Sequence, residues 1–180
     1  YVFIRFKKWQ FGVGALIALF HDVAVVISIF AIARVLNVSF EIDEVFIAAI
    51  LTIVGYSIND TVVVFDRVRE FLNKNPEANL EETLNNSINS TFSRTFMTSF
   101  TTLLVIIVLL VFGGEALRGF SFALFVGVIV GTYSSIFIAT PIVLDAANGK
   151  SLADEKSDFE KDPELVKLEE EEKLKEKANA

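Results

Sequence analysis

The 180-residue sequence has no cysteine and a single histidine. Disulfides and thiolate metal sites are therefore excluded, and one imidazole cannot build a histidine-cluster metal site. Proline is scarce and occurs in three kinds of place: Pro76 in an Asn-Pro turn signal, Pro141 near the end of an apolar segment, and Pro163 in a charged tail. The chain starts Tyr-Val-Phe-Ile-Arg, without Met and without the basic, apolar and small-residue regions of a signal peptide. The expectation is a piece of a longer protein.

What the sequence has in excess is apolar residues, at 53% with a mean hydropathy of +0.53. They are gathered in long blocks rather than spread with an amphipathic period, which is the composition of a membrane protein. The formal net charge of -7 does not contradict this, because residues 148–180 alone hold eleven Asp and Glu against seven Lys. The acidity mostly describes a tail.

In chain order, residues 1–4 and the basic, aromatic Arg5-Phe-Lys-Lys-Trp9 resemble the end of a spanning helix emerging at an interface. A first full span is expected from Phe11 to about Leu36 and a second from Glu44 to Phe65, joined by the polar residues 37–43. Asn79, followed three residues later by Glu82, has the spacing of a capping box, and Leu80, Leu84 and Ile88 repeat at i, i+4, i+8. These predict a short amphipathic helix outside the membrane that runs into a third span, Arg94 to Phe112. After the Gly113-Gly114 turn comes a fourth span, Gly119 to about Leu144. The fold class expected is an all-α polytopic transmembrane bundle: a membrane domain over 1–147, then a solvated tail over 148–180 with transient helix at most.

Lys and Arg alternate in abundance between successive loops. Arg5, Lys7 and Lys8, then Arg67, Arg69, Lys74 and Arg94, then the seven tail lysines fall on one side, whereas the other loops hold only Arg34 and Arg118. The positive-inside rule makes the first set cytoplasmic.

The stretch with most chemical content is Gly55-Tyr-Ser-Ile-Asn-Asp-Thr-Val-Val-Val-Phe-Asp-Arg67, which puts Asn59-Asp60 inside an apolar segment. Asp60 lies about 24 Å along a helix from Glu44 and about 9 Å from Asp66, and Arg94 lies about 28 Å from Gly113. The two charges then differ in depth by about 4 Å, within reach of an Arg side chain if their helices are neighbours. Ser87, Thr91, Arg94, Thr98 and Thr101 or Thr102 on the third span, facing Thr52, Tyr56 and Asn59 on the second, suggest a wet seam, with Ser57 a further supporting polar residue. A carboxylate there is proton-responsive, since desolvation opposes its charge and a guanidinium favours it. The bland alternative is a permanent ion pair, with Arg94 snorkelling to the surface.

Two further patterns stand out. Asp22, after His21, falls about 15 Å into the first span on a face shared with Gly14 and Ala18; a second relay group and a satisfied interhelical hydrogen bond are both open. In the fourth span Gly119, Ala123, Gly127, Gly131, Ser135 and Ala139 follow at strict i+4 intervals, a ridge that lets another helix approach closely.

The Gly55–Arg67 stretch, Arg94-Thr-x-x-Thr-Ser99, Phe112-Gly-Gly-Glu-x-Leu-Arg118 and Gly131-Thr-Tyr-Ser-Ser135, in this order, resemble the SecF family of bacterial protein export, and more distantly the resistance-nodulation-division exporters. The resemblance covers about residues 5–145. It implies a subunit of six spanning helices with a periplasmic domain between the first two, so that this chain carries the last four. It also implies a bacterial cytoplasmic membrane location, SecD as partner, SecYEG, SecA and exported preproteins as associates, and lipid around the spans, with no nucleic acid. The membrane-embedded Asp and Arg of the family map onto Asp60 and Arg94, with protons as the coupling ion, no other cofactor, and a further carboxylate expected on SecD.

Competing classes are a passive scaffold subunit, a small-molecule proton-driven exporter, and an intramembrane aspartyl protease using Asp22 and Asp60. The last lacks the Gly-x-Gly-Asp signature: Asp60 follows Ser-Ile-Asn and Asp22 follows Leu-Phe-His.

Overall fold

Apolar runs of this length must satisfy every backbone N–H and C=O internally when they cross lipid, and in a chain without barrel-like alternation that leaves the α-helix. The computed structural model describes residues 2, 6, 8–38, 40, 42–74, 79–147 and 152, and it contains no strand among them. The helices are α1 (Trp9–Val35), α2 (Glu44–Lys74), α3 (Leu80–Phe112), α4 (Gly114–Ser134) and, after a π-helical turn over Ser135–Ala139, α5 (Thr140–Ala147). Four helical stretches of 27, 31, 33 and 34 residues, the last running from α4 through α5, are long and apolar enough to cross a membrane. The protein is therefore an all-α, multi-pass bundle.

Three boundaries differ from the sequence expectation. The second span does not stop at Phe65 but continues to Lys74, because residues 66–74 contain no Gly or Pro and Glu70 pairs with Arg67 at i−3 and with Lys74 at i+4. The amphipathic stretch beginning at Leu80 is not a separate helix. It is the first part of the 33-residue α3, whose sequence likewise has no breaker before Gly113. Asn79 does cap it, accepting from the Glu81 amide at 2.9 Å, one residue earlier than a capping box requires. The fourth span starts at Gly114 rather than Gly119 and is not continuous α-helix. Pro141 offers no N–H to the preceding turn, and the helix accommodates this by widening over Ser135–Ala139, where the Thr140 hydroxyl donates to the Ser135 carbonyl at 3.2 Å. The Asn75-Pro76 turn, Arg5, Lys7 and the tail other than Leu152 lie outside the described residues.

The hairpin turns use left-handed residues. Asn37, at φ 59°, ends α1, with Val38 N–H donating to Ala33 O and Asn37 N–H to Arg34 O, the paired bonds of a Schellman motif. Gly114, at φ 72°, turns α3 into α4. Only glycine adopts this conformation freely, so Gly114→Ala is expected to destabilise the bundle by about 1 kcal/mol, measured by thermal unfolding in detergent. An unchanged midpoint would show that the turn relaxes.

Helices α2 and α4 form the centre, with α1 packed against both on one side and α3 against both on the other. The core divides into two apolar clusters. One lies toward the Trp9, Lys74 and Ala147 ends, built on Phe6, Phe11, Phe65, Val68, Leu72 and Val143; the other lies toward the two left-handed turns, built on Val26, Phe30, Phe46, Ile53, Ala123 and Val128. Between them the buried side chains are polar.

Candidate functional site

The polar layer arises from small hydroxyl and acidic residues placed at helical spacing on each inward face. On α3 the buried row is Ser87, Thr91, Thr95 and Ser99, a strict i+4 progression. The sequence-based stripe shares Ser87 and Thr91 with this row and then departs from it. Arg94, Thr98 and Thr101 are exposed, since they fall on the neighbouring i+3/i+4 row. Thr98 bonds back to the Thr95 carbonyl and Thr101 to the Met97 carbonyl within their own helix. Asn59 on α2 also faces outward. Thr95 and Ser99 were missed although their spacing from Ser87 and Thr91 carried the signal.

Two hydrogen-bonded sets cross the layer. Tyr56 of α2 donates to Ser99 of α3 at 3.3 Å, and Ser99 lies 2.7 Å from the Thr132 hydroxyl of α4. The Thr132 hydroxyl also lies 2.8 Å from the Val128 carbonyl, and either hydroxyl of the Ser99–Thr132 pair can be the donor. The second set centres on Asp22 of α1, which is 1% exposed. Its Oδ2 accepts from Ser57 of α2 at 2.5 Å and from Ser134 of α4 at 2.8 Å, while its Oδ1 lies 3.2 Å from His21 Nδ1. Of the two possibilities left open for Asp22, the interhelical hydrogen bond is present.

Asp60, one helical turn beyond Ser57, is 4% exposed, and its Oδ2 has no hydrogen-bond partner. A buried carboxyl oxygen left without a donor is costly. Arg94 acts on it electrostatically from α3, and the Ser99 hydroxyl is a further neighbour. The two aspartates are thus unlike in their surroundings: Asp22 is saturated with partners, Asp60 is not.

The sequence places Asp22 near mid-membrane and Asp60 toward the inner end of its span. In the structure Asp22 is level with Ser57, so the two carboxyls are offset by about 4.5 Å along the bundle axis. They do not form a hydrogen-bonded dyad, because both Asp22 oxygens are engaged elsewhere. The α2–α3 seam opens above Tyr56 into a cleft of about 480 Å³, with Thr52, Thr101 and Thr102 on walls that are otherwise mainly apolar.

Close approach of α4 makes this layer possible. Gly127 faces the side chain of buried Ile53, and a Cβ on Gly131 would lie 3.2 Å from the Ser57 Cβ and 3.6 Å from Asp22 Oδ2. Gly14 faces the Ala139 carbonyl at the other end of the π turn. The small-residue ridge therefore packs on α2 through Gly127 and Gly131 and on α1 through Ala139, with Ser135 also buried.

The family model described as "Protein export membrane protein SecD/SecF, C-terminal" matches residues 1–149. The chain belongs to the SecD/SecF C-terminal family. It is 58% identical over 146 residues to the protein translocase subunit SecF of Rhodothermus marinus, covering 81% of this chain and 47% of that relative. It is 50% identical over 150 residues to the SecF subunit of Rickettsia akari, covering 83% and 47%. The chain spans about half the length of the curated relatives it matches. Among solved structures it is similar to a crystal structure of SecDF in a super-membrane-facing form, with a TM-score of 0.74 and 49% identity over 82% of this chain and 19% of that one. The SecD/SecF C-terminal assignment agrees with the resemblance carried by the Gly55–Arg67 and Gly131–Ser135 motifs.

Proposed function

We propose that this SecD/SecF-family chain is the proton-responsive membrane part of a subunit that works with SecD to move preproteins across the bacterial cytoplasmic membrane, after the SecYEG and SecA step. The relatives' name, protein translocase subunit SecF, supports the process. The observation that carries the mechanism is the Asp60 carboxyl, buried at membrane depth with an unpartnered oxygen. An intramembrane acid in that condition is costly as a fixed charge and has a role when it exchanges a proton.

The outward placement of Arg94, Thr98 and Asn59 fits a partner. The Thr98 hydroxyl is satisfied within its own helix. Lipid tails, however, offer Arg94 and Asn59 no polar partner, so these side chains beside the Asp60 layer suit another chain, and SecD is the one that the structural relative joins to SecF. In this scheme SecD supplies a further carboxylate, Asp60 alternates between ionised and neutral forms, and Arg94 stabilises the ionised one. The resulting change in α2–α3 packing is transmitted to the periplasmic domains. The basic end of the bundle and the tail are cytoplasmic.

The test uses the subunit co-expressed with SecD, with export measured with and without a protonophore. Arg94→Leu is expected to lose the gradient-dependent component, and Arg94→Lys to retain an intermediate share, because lysine keeps the charge but not the guanidinium geometry. A full gradient-dependent component in Arg94→Leu overturns the coupling role.

A further inference from the structure

The layer contains a second buried acid that the proton scheme does not use. Asp22 bonds simultaneously to the central helices α2 and α4. Its partners occupy informative positions. Ser57 is one turn before Asp60, and Gly131 of α4 approaches the same spot, where a Cβ on it would lie 3.2 Å from Ser57 Cβ and 3.6 Å from Asp22 Oδ2. Ser134 is the last residue before the π turn, and four residues beyond the start of that turn the Ala139 carbonyl meets Gly14 of the same α1. The contacts of α1 therefore bracket the one place where α4 changes helical register.

A carboxylate is acceptor-only, and each serine hydroxyl reaching Asp22 Oδ2 is a donor. The geometry therefore suits an acceptor held between two helices. We infer that Asp22 is a positioning residue for the Asp60 site: by accepting from Ser57 and Ser134 it sets the rotation of the α2 turn that carries Asp60 and the register of α4 at the π turn. This rests on the proton-responsive role of Asp60 proposed above. The ionisable groups around the layer are His21 on α1, Tyr56 and Asp60 on α2 and Arg94 on α3. On α4 the nearest is Tyr133, which faces outward.

The inference separates two changes at the same cluster. Asp22→Asn keeps an oxygen that accepts from both serines but removes the charge. The double change Ser57→Ala and Ser134→Ala keeps the charge and removes both links. Each is introduced into the subunit co-expressed with SecD, and gradient-dependent export is followed as a function of pH beside the wild type and Asp60→Asn.

Asp22→Asn is expected to keep gradient-dependent export within about twofold of wild type. The double serine variant is expected to assemble with SecD but to displace the half-maximal pH by about half a unit or more. Loss of assembled protein alone would lower the amplitude without moving that midpoint. Where the double variant does not assemble, Ser57→Ala alone carries the same readout. If Asp22→Asn is as inactive as Asp60→Asn, the charge itself is needed and the positioning role is overturned. A wild-type midpoint in the serine variants overturns it as well. Wild-type export by Asp60→Asn would instead remove the proton-responsive role of Asp60, and it is seen in an arm where Asp22 is intact.

Discussion

Asp60→Asn is expected to abolish the gradient-dependent part of export and to leave the subunit inserted and assembled with SecD. Asparagine matches aspartate in shape, so the packing between the two apolar clusters is retained, but it cannot ionise. The change therefore removes proton exchange and little else. Its amide adds donors where Asp60 Oδ2 has no partner, and an unsatisfied buried group costs about 1–3 kcal/mol, modest against the loss of coupling. Export measured with and without a protonophore should coincide in this variant at the level wild type reaches when the gradient is collapsed. Assembly is checked by co-purification with SecD. Gradient-dependent export at the wild-type level would sink the mechanism, and loss of co-purification would make Asp60 a structural residue.

The second large effect is expected at Gly127→Leu. A Cβ at this position falls onto three side-chain carbons of Ile53. Ile53 is 1% exposed and β-branched, so it has neither space nor an alternative rotamer to yield. Forcing extra atoms into such a core costs about 1–3 kcal/mol, and here the strain falls on the α2–α4 contact at the centre of the bundle. Thermal unfolding of the SecD-bound protein in detergent should show a lowered midpoint, and Ile53→Ala should restore much of it by making room. Gly55→Ala is the control. Nothing lies within 4 Å of a Cβ there, so the midpoint should not fall. A Gly127→Leu protein as stable as wild type, or a double variant no better than the single one, would show that the ridge does not set the α2–α4 distance.

The two cases show why glycines in one membrane segment differ in importance. Gly127 and Gly131 lie on the ridge that the i+4 pattern marks, and both face α2 in the structure. The pattern identifies the face from periodicity alone. Which helix occupies it depends on how four helices share space, and periodicity does not encode that.

Local chemistry determined much of this protein. Long apolar runs dictate spanning helices because lipid offers the backbone no partner, and Asn79 and Gly113-Gly114 mark helix ends through their own capping and turn chemistry. The Gly55–Arg67 motif singled out Asp60, and lysine and arginine counts supply an expectation for which loops are cytoplasmic. Tertiary structure decided the rest. The continuation of α2 to Lys74 rests on side-chain pairs beyond the apolar run, and the π turn follows from Pro141 acting inside a packed helix. Above all, Asp22 and Asp60 are both acids within apolar sequence, and their local sequence does not specify their hydrogen-bond partners. Only the packing of α1, α2 and α4 surrounds one with Ser57 and Ser134 and leaves an oxygen of the other unpartnered. The physical reason is that the environment of a buried charge is set by what other helices bring to it, and hydrogen-bond partners 35 and 112 residues away leave no trace in local sequence.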